Sequence, residues 1–262
     1  MKSFFCHSES DRKALAARLK KFYDTTSDYL AFQNPSHHEQ PWSLIAQDVR
    51  ARVHDGAEKV RILEVGAGRS GLARYLEGED LRHKVFMHAQ DVTSANQDWL
   101  KGQFDETTIG ELSVLKGDFD LILSTYVFEH TVNPQVFLEQ LWRHTAPRGA
   151  IYLTCPRYDM PLYLPRAVDH LPLIQRAKLS AYSLFRRILT IITGRPAWLV
   201  QADPAVFYLP FQRDRDAVHW ASWWDVRAIY PSAQRLKFRA DGWREWIRLR
   251  LLTVICRIDK NN

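Results

Sequence analysis

The stretch VRILEVGAGRSGLARYL, Val60 to Leu76, decides how the rest of the chain is read. Val60–Val65 is a short apolar run of the kind that forms a strand buried on both faces. Gly66-Ala67-Gly68-Arg69-Ser70-Gly71 follows and spells G-x-G-x-x-G. Glycines at such a strand-to-helix corner let the backbone turn tightly and approach a ligand closely. The spacing suits any adenosine-containing cofactor and does not choose among them.

Working outward, the pattern alternates. Helix is expected from about Ser70 to Glu77, strand over Lys84–Gln90, a short helix over Thr93–Leu100 and a brief strand over Gln103–Asp105. Phe119–Ser124 is a clear strand; Asn133 and Pro134 open the helix PQVFLEQLWRHTA; Gly149–Cys155 is the next strand. Upstream, Asp11–Tyr23 and the segment PWSLIAQDVRARVHD, closed by Gly56, read as helices around a loop that holds His37 and His38. This β-α-β-α order implies an α/β, Rossmann-like, doubly wound and mostly parallel sheet. Between 156 and 218 seven prolines interrupt the pattern around one basic amphipathic helix, about Gln175–Thr193, stopped by Gly194. Ser222–Tyr230, RLKFRA and LLTVICRI then complete the fold, the last two as an antiparallel pair. The expected division is an N-terminal helical cap (1–56), a cofactor-binding core (57–156), a substrate-side insertion or lid (157–218) and a C-terminal completion of the sheet (219–262).

Composition narrows the function. The chain has 262 residues with a net charge of +6. Residues 1–156 hold 18 basic and 21 acidic side chains, a balance of −3; residues 157–262 hold 18 and 9, a balance of +9. The basic excess thus lies C-terminal and suits an acidic substrate or an anionic surface, or is simply solvated. The three cysteines, Cys6, Cys155 and Cys256, are scattered and show no metal-ligand spacing, so no metal is expected, and they suit a reducing cytoplasm. No apolar run reaches the length of a membrane span, and MKSFFCHSESDRK is too short in its apolar part for a secretion signal.

Glu64 discriminates between cofactors. It lies two residues before Gly66, on the same side of the strand. A dinucleotide would place its pyrophosphate near this loop, where a carboxylate about 6 Å away costs on the order of 2–3 kcal/mol. The ammonium group of S-adenosylmethionine would instead be favoured. The plainer alternative is a Glu that ties down loop amides. Asp91, at the end of the second strand, is placed to accept ribose hydroxyls or, alternatively, to cap the following helix.

EVGAGRSG resembles the first motif of class I S-adenosylmethionine-dependent methyltransferases, E/D-x-G-x-G-x-G, with Ser70 at the third glycine position and Gly71 one later. FDLILSTYVFEHTVNPQVFLEQLWRHTAPRGAIYLTCP, Phe119 to Pro156, is similar to a further block of that superfamily, especially its ubiquinone-pathway O-methyltransferases, with Arg148 replacing one glycine. The resemblance implies a seven-stranded sheet with an antiparallel last strand. It implies S-adenosyl-L-methionine as cofactor, with Glu64, Gly66, Ala67, Gly68 and Gly71 at the methionine end. Asp91 would hold the ribose and Asp105 the adenine amino group, with Ser124 and Thr125 forming the floor.

For the chemistry, Glu129-His130 follows the fourth strand, and His130 is the candidate base for a hydroxyl acceptor; its alternative is to brace the loop. Tyr158 and Asp159, after the fifth strand, are candidates to orient substrate or to form a turn, and His219 is a weaker one. In the insertion, Leu179, Tyr182, Phe185, Ile188, Leu189 and Ile192 form an apolar stripe flanked by Arg176, Lys178, Arg186 and Arg187. That helix either packs as a lid or rests peripherally on an anionic membrane through 175–193. The Trp-rich run His219–Trp224 is either core or a stacking wall. The expected activity is methyl transfer to oxygen of a small molecule, glycan or lipid-linked precursor. The alternatives are an NAD-dependent oxidoreductase and a non-catalytic methyltransferase-like scaffold. Nucleic acid is disfavoured as a partner: Ser124-Thr125-Tyr126-Val127 stands where amino-group DNA methylases carry N/D-P-P-Y/F.

Overall fold

The computed structural model describes residues 4–25, 39–212, 214–237 and 242–260. His37 and His38 lie outside them. The sheet has seven strands in the order β3-β2-β1-β4-β5-β7-β6. These are β1 (Val60–Val65), β2 (Val85–Asp91), β3 (Glu106–Ile109), β4 (Phe119–Thr125), β5 (Thr145–Pro156), β6 (Gln234–Arg235) and β7 (Thr253–Asp259). The first five run parallel, with β1 paired to β2 and β4. β7 runs against β5: the amide of Arg148 meets the carbonyl of Lys260, while that of Arg157 meets Leu252. The doubly wound sheet is thus the fold expected from the alternation, and the reversed strand β7 is what the resemblance implies. Ile62, Leu63, Leu121, Ile122, Ala150 and Ile151 are all fully buried, as central parallel strands covered on both faces require.

The chain divides into two compact units. One gathers β1 to β4 and β5 through Thr154, with α2 (Glu39–His54), α3 (Leu72–Gly78) and α4 (Gln97–Lys101). Gly56, at φ +99°, ends α2 and donates its amide to Val53. Behind the sheet, Tyr152 donates to Asp48 at 2.9 Å and Arg257 pairs with the same carboxylate at 2.9 Å.

The second unit gathers residues 128–136 and 155–256 with α1 (Glu9–Thr25). The strand-like segment before α1 is stitched to the insertion: the Cys6 amide donates to Val200 and the Ala202 amide to Phe4. α1 is started by Ser8 and Asp11, which exchange side-chain and backbone bonds as a capping box does. Phe5, Tyr158, Val168, Leu179, Leu199 and Trp220 form a core here, and Cys6, Leu15, Leu19, Val200, Val206 and Val218 another. His219 and Trp220 are fully buried, so the Trp-rich run begins as core.

The insertion helix α6 (Leu173–Thr193) ends at Gly194, whose φ of +66° is the left-handed conformation that suits glycine. The side it turns inward is not the apolar stripe read from the sequence. The side chains it buries are Leu179, Ser180, Ser183, Arg187 and Thr190. Phe185, Ile188, Leu189 and Ile192, expected in one apolar stripe with Leu179, are exposed. Arg187 fixes this choice: its guanidinium pairs with buried Asp225 of α7 (Trp223–Ile229) and donates to the Trp220 carbonyl. After β6 come α8 (Trp243–Ile247) and a wide turn over Arg248–Leu252, which sequence periodicity does not reveal.

Candidate active site

The glycine loop joins β1 to α3 and is built by contacts to the ends of neighbouring strands. Gly66 has φ +63°, and a Cβ there would lie 2.3 Å from Val127 Cγ2. Both the backbone angle and the space therefore demand glycine. Gly68, at φ +53°, donates its amide to Asp91 Oδ2 at 2.8 Å. The other oxygen of Asp91 accepts from Thr93 N–H at 3.0 Å. Ala67 N–H donates to the Gln90 carbonyl at 3.0 Å. Gly71 stands at the start of α3.

Asp91 is not a helix cap; Thr93 fills that role by accepting from Ala95 N–H. Burial raises the Asp91 carboxyl above its ordinary range, opposed by the amides of Thr93, Gly68 and Val92. Gln90, which sequence inspection passed over, bridges two loops: its side chain accepts from Gly66 N–H at 3.3 Å and donates to the Gly110 carbonyl at 2.5 Å.

Glu64 is almost fully buried at the carboxyl end of β1, and among the described residues its Oε2 has no hydrogen-bond partner. Burial pushes its carboxyl up to about 8, against a hydrogen bond from Ser70. Ser70, the departure from the usual third glycine, also accepts from Leu72 N–H at 3.0 Å and so starts α3. Ser124 Oγ and Thr125 Oγ1, at the carboxyl end of β4, are likewise without partners among the described residues. An unpaired buried acceptor is costly unless something is meant to meet it. A buried carboxylate beside neutral hydroxyls is the donor and acceptor set for an ammonium group rather than for a pyrophosphate.

Asp105 is not placed for an adenine. It precedes β3, donates its amide to Met87 O and accepts from Met87 N–H at 2.7 Å and from Arg82 at 3.0 Å. Met87 stands four residues before Asp91 on β2, so Asp105 lies roughly 13 Å back along the strands, toward their amino ends. The strand expected at Gln103–Asp105 starts instead at Glu106, which accounts for the misplacement.

In the other unit, Glu129 and His130 sit in a short turn four and five residues after Thr125. Glu129 is fully buried, both its carboxylate oxygens lack hydrogen-bond partners among the described residues, and burial pushes it up to about 8. His130 Nδ1 lies 3.2 Å from Asp216 Oδ2 and its Nε2 3.9 Å from Glu129 Oε1. Burial disfavours the charged ring, but Asp216, Glu129 and Asp214 together outweigh it and push His130 up to about 10. Tyr23 donates to Asp216 at 2.9 Å. Glu129, His130 and Asp214 also bring one potential metal-ligating atom each within 4.8 Å of one another. Neither Asp216 nor Tyr23 carries a sequence signal; both are far from the pair in the chain.

His219 is a neutral core histidine: its Nδ1 meets the Phe128 carbonyl at 3.0 Å and burial lowers it to about 3. Asp159 is engaged structurally. Its carboxylate pairs with Arg157 and accepts from Ser222 Oγ at 2.8 Å and Trp223 N–H at 3.2 Å, tying down the start of α7. Tyr158 is buried beside it and stacks on Tyr163, so neither side chain of this pair faces solvent.

A family model described as a methyltransferase domain matches residues 36–237, well over half of the chain. This chain belongs to that methyltransferase family. It is an S-adenosylmethionine-dependent methyltransferase of the class I, Rossmann-like fold. Among solved structures it is similar to the magnesium protoporphyrin IX methyltransferase (ChlM) from Synechocystis PCC 6803 with bound S-adenosylhomocysteine. Identity is 11%, coverage 94% of this chain and 100% of that one, and the TM-score 0.51. A Burkholderia thailandensis 1,6-didemethyltoxoflavin-N1-methyltransferase gives 11% identity, coverage of 98% and 92%, and a TM-score of 0.51. The plantazolicin methyltransferase BpumL gives 14%, 97% and 100%, and 0.49. The first two likenesses show the fold. No curated protein matches the sequence.

Proposed function

We propose that the chain transfers a methyl group to an oxygen atom of a small molecule, glycan or lipid-linked precursor. S-adenosylmethionine supplies a sulfonium-bound methyl group, so positioning carries much of the catalysis. Glu64 would meet the ammonium end, the amides of Ala67 and Gly68 would line the loop, and Asp91 would accept the ribose hydroxyls with its remaining lone pairs. Ser124 and Thr125 would offer their unpartnered hydroxyls.

The observation that carries oxygen as the acceptor atom is the Glu129–His130–Asp216 cluster. A hydroxyl must lose its proton as it becomes an ether or ester, which rewards a base titrating near neutrality. Glu129, buried and titrating at about 8, meets that requirement. His130, held as imidazolium against Asp216, serves better to orient and balance charge than to take the proton itself.

The test is turnover with S-adenosylmethionine carrying a labelled methyl group, against phenols, sugars and lipid-linked acceptors. Label recovered in an O-methyl product, with Glu129→Gln lowering kcat by about 10²–10⁴-fold at unchanged S-adenosylhomocysteine affinity, supports the reading. Label recovered only on nitrogen, carbon or sulfur would overturn oxygen as the acceptor. Binding without any turnover would favour a methyltransferase-like binding module.

A further inference from the structure

The insertion helix α6 is amphipathic the wrong way round. Its protein-facing side carries Ser180, Ser183, Arg187 and Thr190, and only Leu179 among large apolar residues. Its outward side carries Leu173, Ile174, Phe185, Ile188, Ile191 and Ile192, with Leu173 78%, Ile174 71% and Ile192 73% exposed. At 100° per residue these six fall within a sector of about 120°, and no charged residue interrupts it. A helix of 21 residues extends this face over about 30 Å. A contiguous apolar face of that size on a soluble chain marks a surface that something covers.

Charge selects what covers it. The helix contains no acidic residue. Lys178 borders the apolar sector, and Arg195, exposed just beyond Gly194, extends the cationic margin at the C-terminal end. Residues 157–262 carry a balance of +9. A second copy seated symmetrically on this face would bring these cations against each other. An anionic lipid surface would neutralise them, and its acyl region would receive Phe185, Ile188 and Ile192. Among the described residues no helix is long and apolar enough to cross a membrane. A helix with this composition lies in the plane of the interface instead.

We propose that α6 docks the chain on an anionic membrane surface, with its apolar face in the headgroup–acyl boundary. The proposal is independent of the acceptor chemistry, because docking needs neither cofactor nor turnover.

The experiment is flotation of the full chain with phosphatidylcholine vesicles, with and without phosphatidylglycerol, at low and high salt. The expected result is association with anionic vesicles about tenfold or more stronger than with neutral ones, weakened by salt. Ile188→Ser combined with Ile192→Ser should abolish it, and Lys178→Glu should reduce it. These side chains are exposed, so circular dichroism and S-adenosylhomocysteine affinity should match the parent. No association with anionic vesicles, or equal association of parent and double-serine variant, would overturn the proposal. So would a dimer in light scattering that the same variant converts to monomer, which would assign the face to a second copy.

Discussion

The amide of Gly68 donates to Asp91 Oδ2 at 2.8 Å, so the carboxylate that ends β2 also sets the shape of the loop that ends β1. Asp91→Asn keeps an acceptor for that amide but removes the charge; Asp91→Ala removes both. S-adenosylhomocysteine affinity should therefore fall in the order parent, Asn, Ala, with the Ala variant at least about tenfold weaker than parent. Calorimetric titration of the three proteins measures this directly. Equal affinities for Asn and Ala would mean that the loop holds its shape without Asp91.

Glu64 couples binding to pH. Its carboxyl titrates at about 8 in the folded chain against 4.5 ordinarily, so the native state holds the proton more tightly than the unfolded one. Its contribution to stability is then complete below about 4.5 and declines as pH rises to about 8. Glu64→Gln, which cannot ionise, should melt higher than the parent at pH 9 and equally at pH 4. The same variant should lose S-adenosylhomocysteine affinity, because a cationic ligand favours the ionised carboxylate. Titration at pH 7 in buffers of different ionisation enthalpy should show a proton released on binding by the parent and none by the variant.

Gly66→Ala meets two obstacles, a positive φ and Val127. The backbone conformation alone costs about 1–3 kcal/mol for a residue with a side chain. Adding Val127→Ala clears the space but not the angle. Denaturation midpoints should show the double variant recovering only part of the loss, and a full recovery would locate the whole cost in the contact.

Asp216→Asn removes the carboxylate closest to His130 among those facing it. In the parent, a ring raised to about 10 contributes stability that is complete below about 6.5 and is lost as pH rises through about 10. Asp214 and Glu129 remain in the variant, so the His130 midpoint should fall by about 1–3 pH units rather than return fully to the free value. Imidazole nitrogen shifts followed by NMR report it. An unchanged midpoint would show that Asp214 and Glu129 suffice.

The cofactor end of the site was legible because its residues are local. Glu64, Gly66 and Gly68 fall within five residues, and Asp91 ends the next strand; periodicity and spacing place all of them. Ser70 was visible as a departure, but its bond to Glu64 depends on how the loop folds back. Asp105 was misassigned because a strand of four residues offers too little pattern to fix its ends. Asp216 and Tyr23 were invisible because they reach His130 only through tertiary packing of α1 against the insertion. The direction of α6 is left open by the sequence for a different reason: periodicity marks an apolar stripe but not which side faces the protein. Here one buried ion pair overrules the usual preference.

That ion pair, Arg187 with Asp225, acts as an axle pin. Rolling α6 to hide its isoleucines would pull a buried guanidinium from its carboxylate and strand Asp225, a loss of about 3–5 kcal/mol when such a pair is broken. The Thr190 hydroxyl and the Ala197 amide bind the same carboxylate and resist the same rotation. The helix is therefore unable to trade its outward face for a drier one when conditions change. In a dilute aqueous preparation it stays adhesive, and detergent or lipid, rather than a shift in salt or pH, is what should keep this chain from clumping.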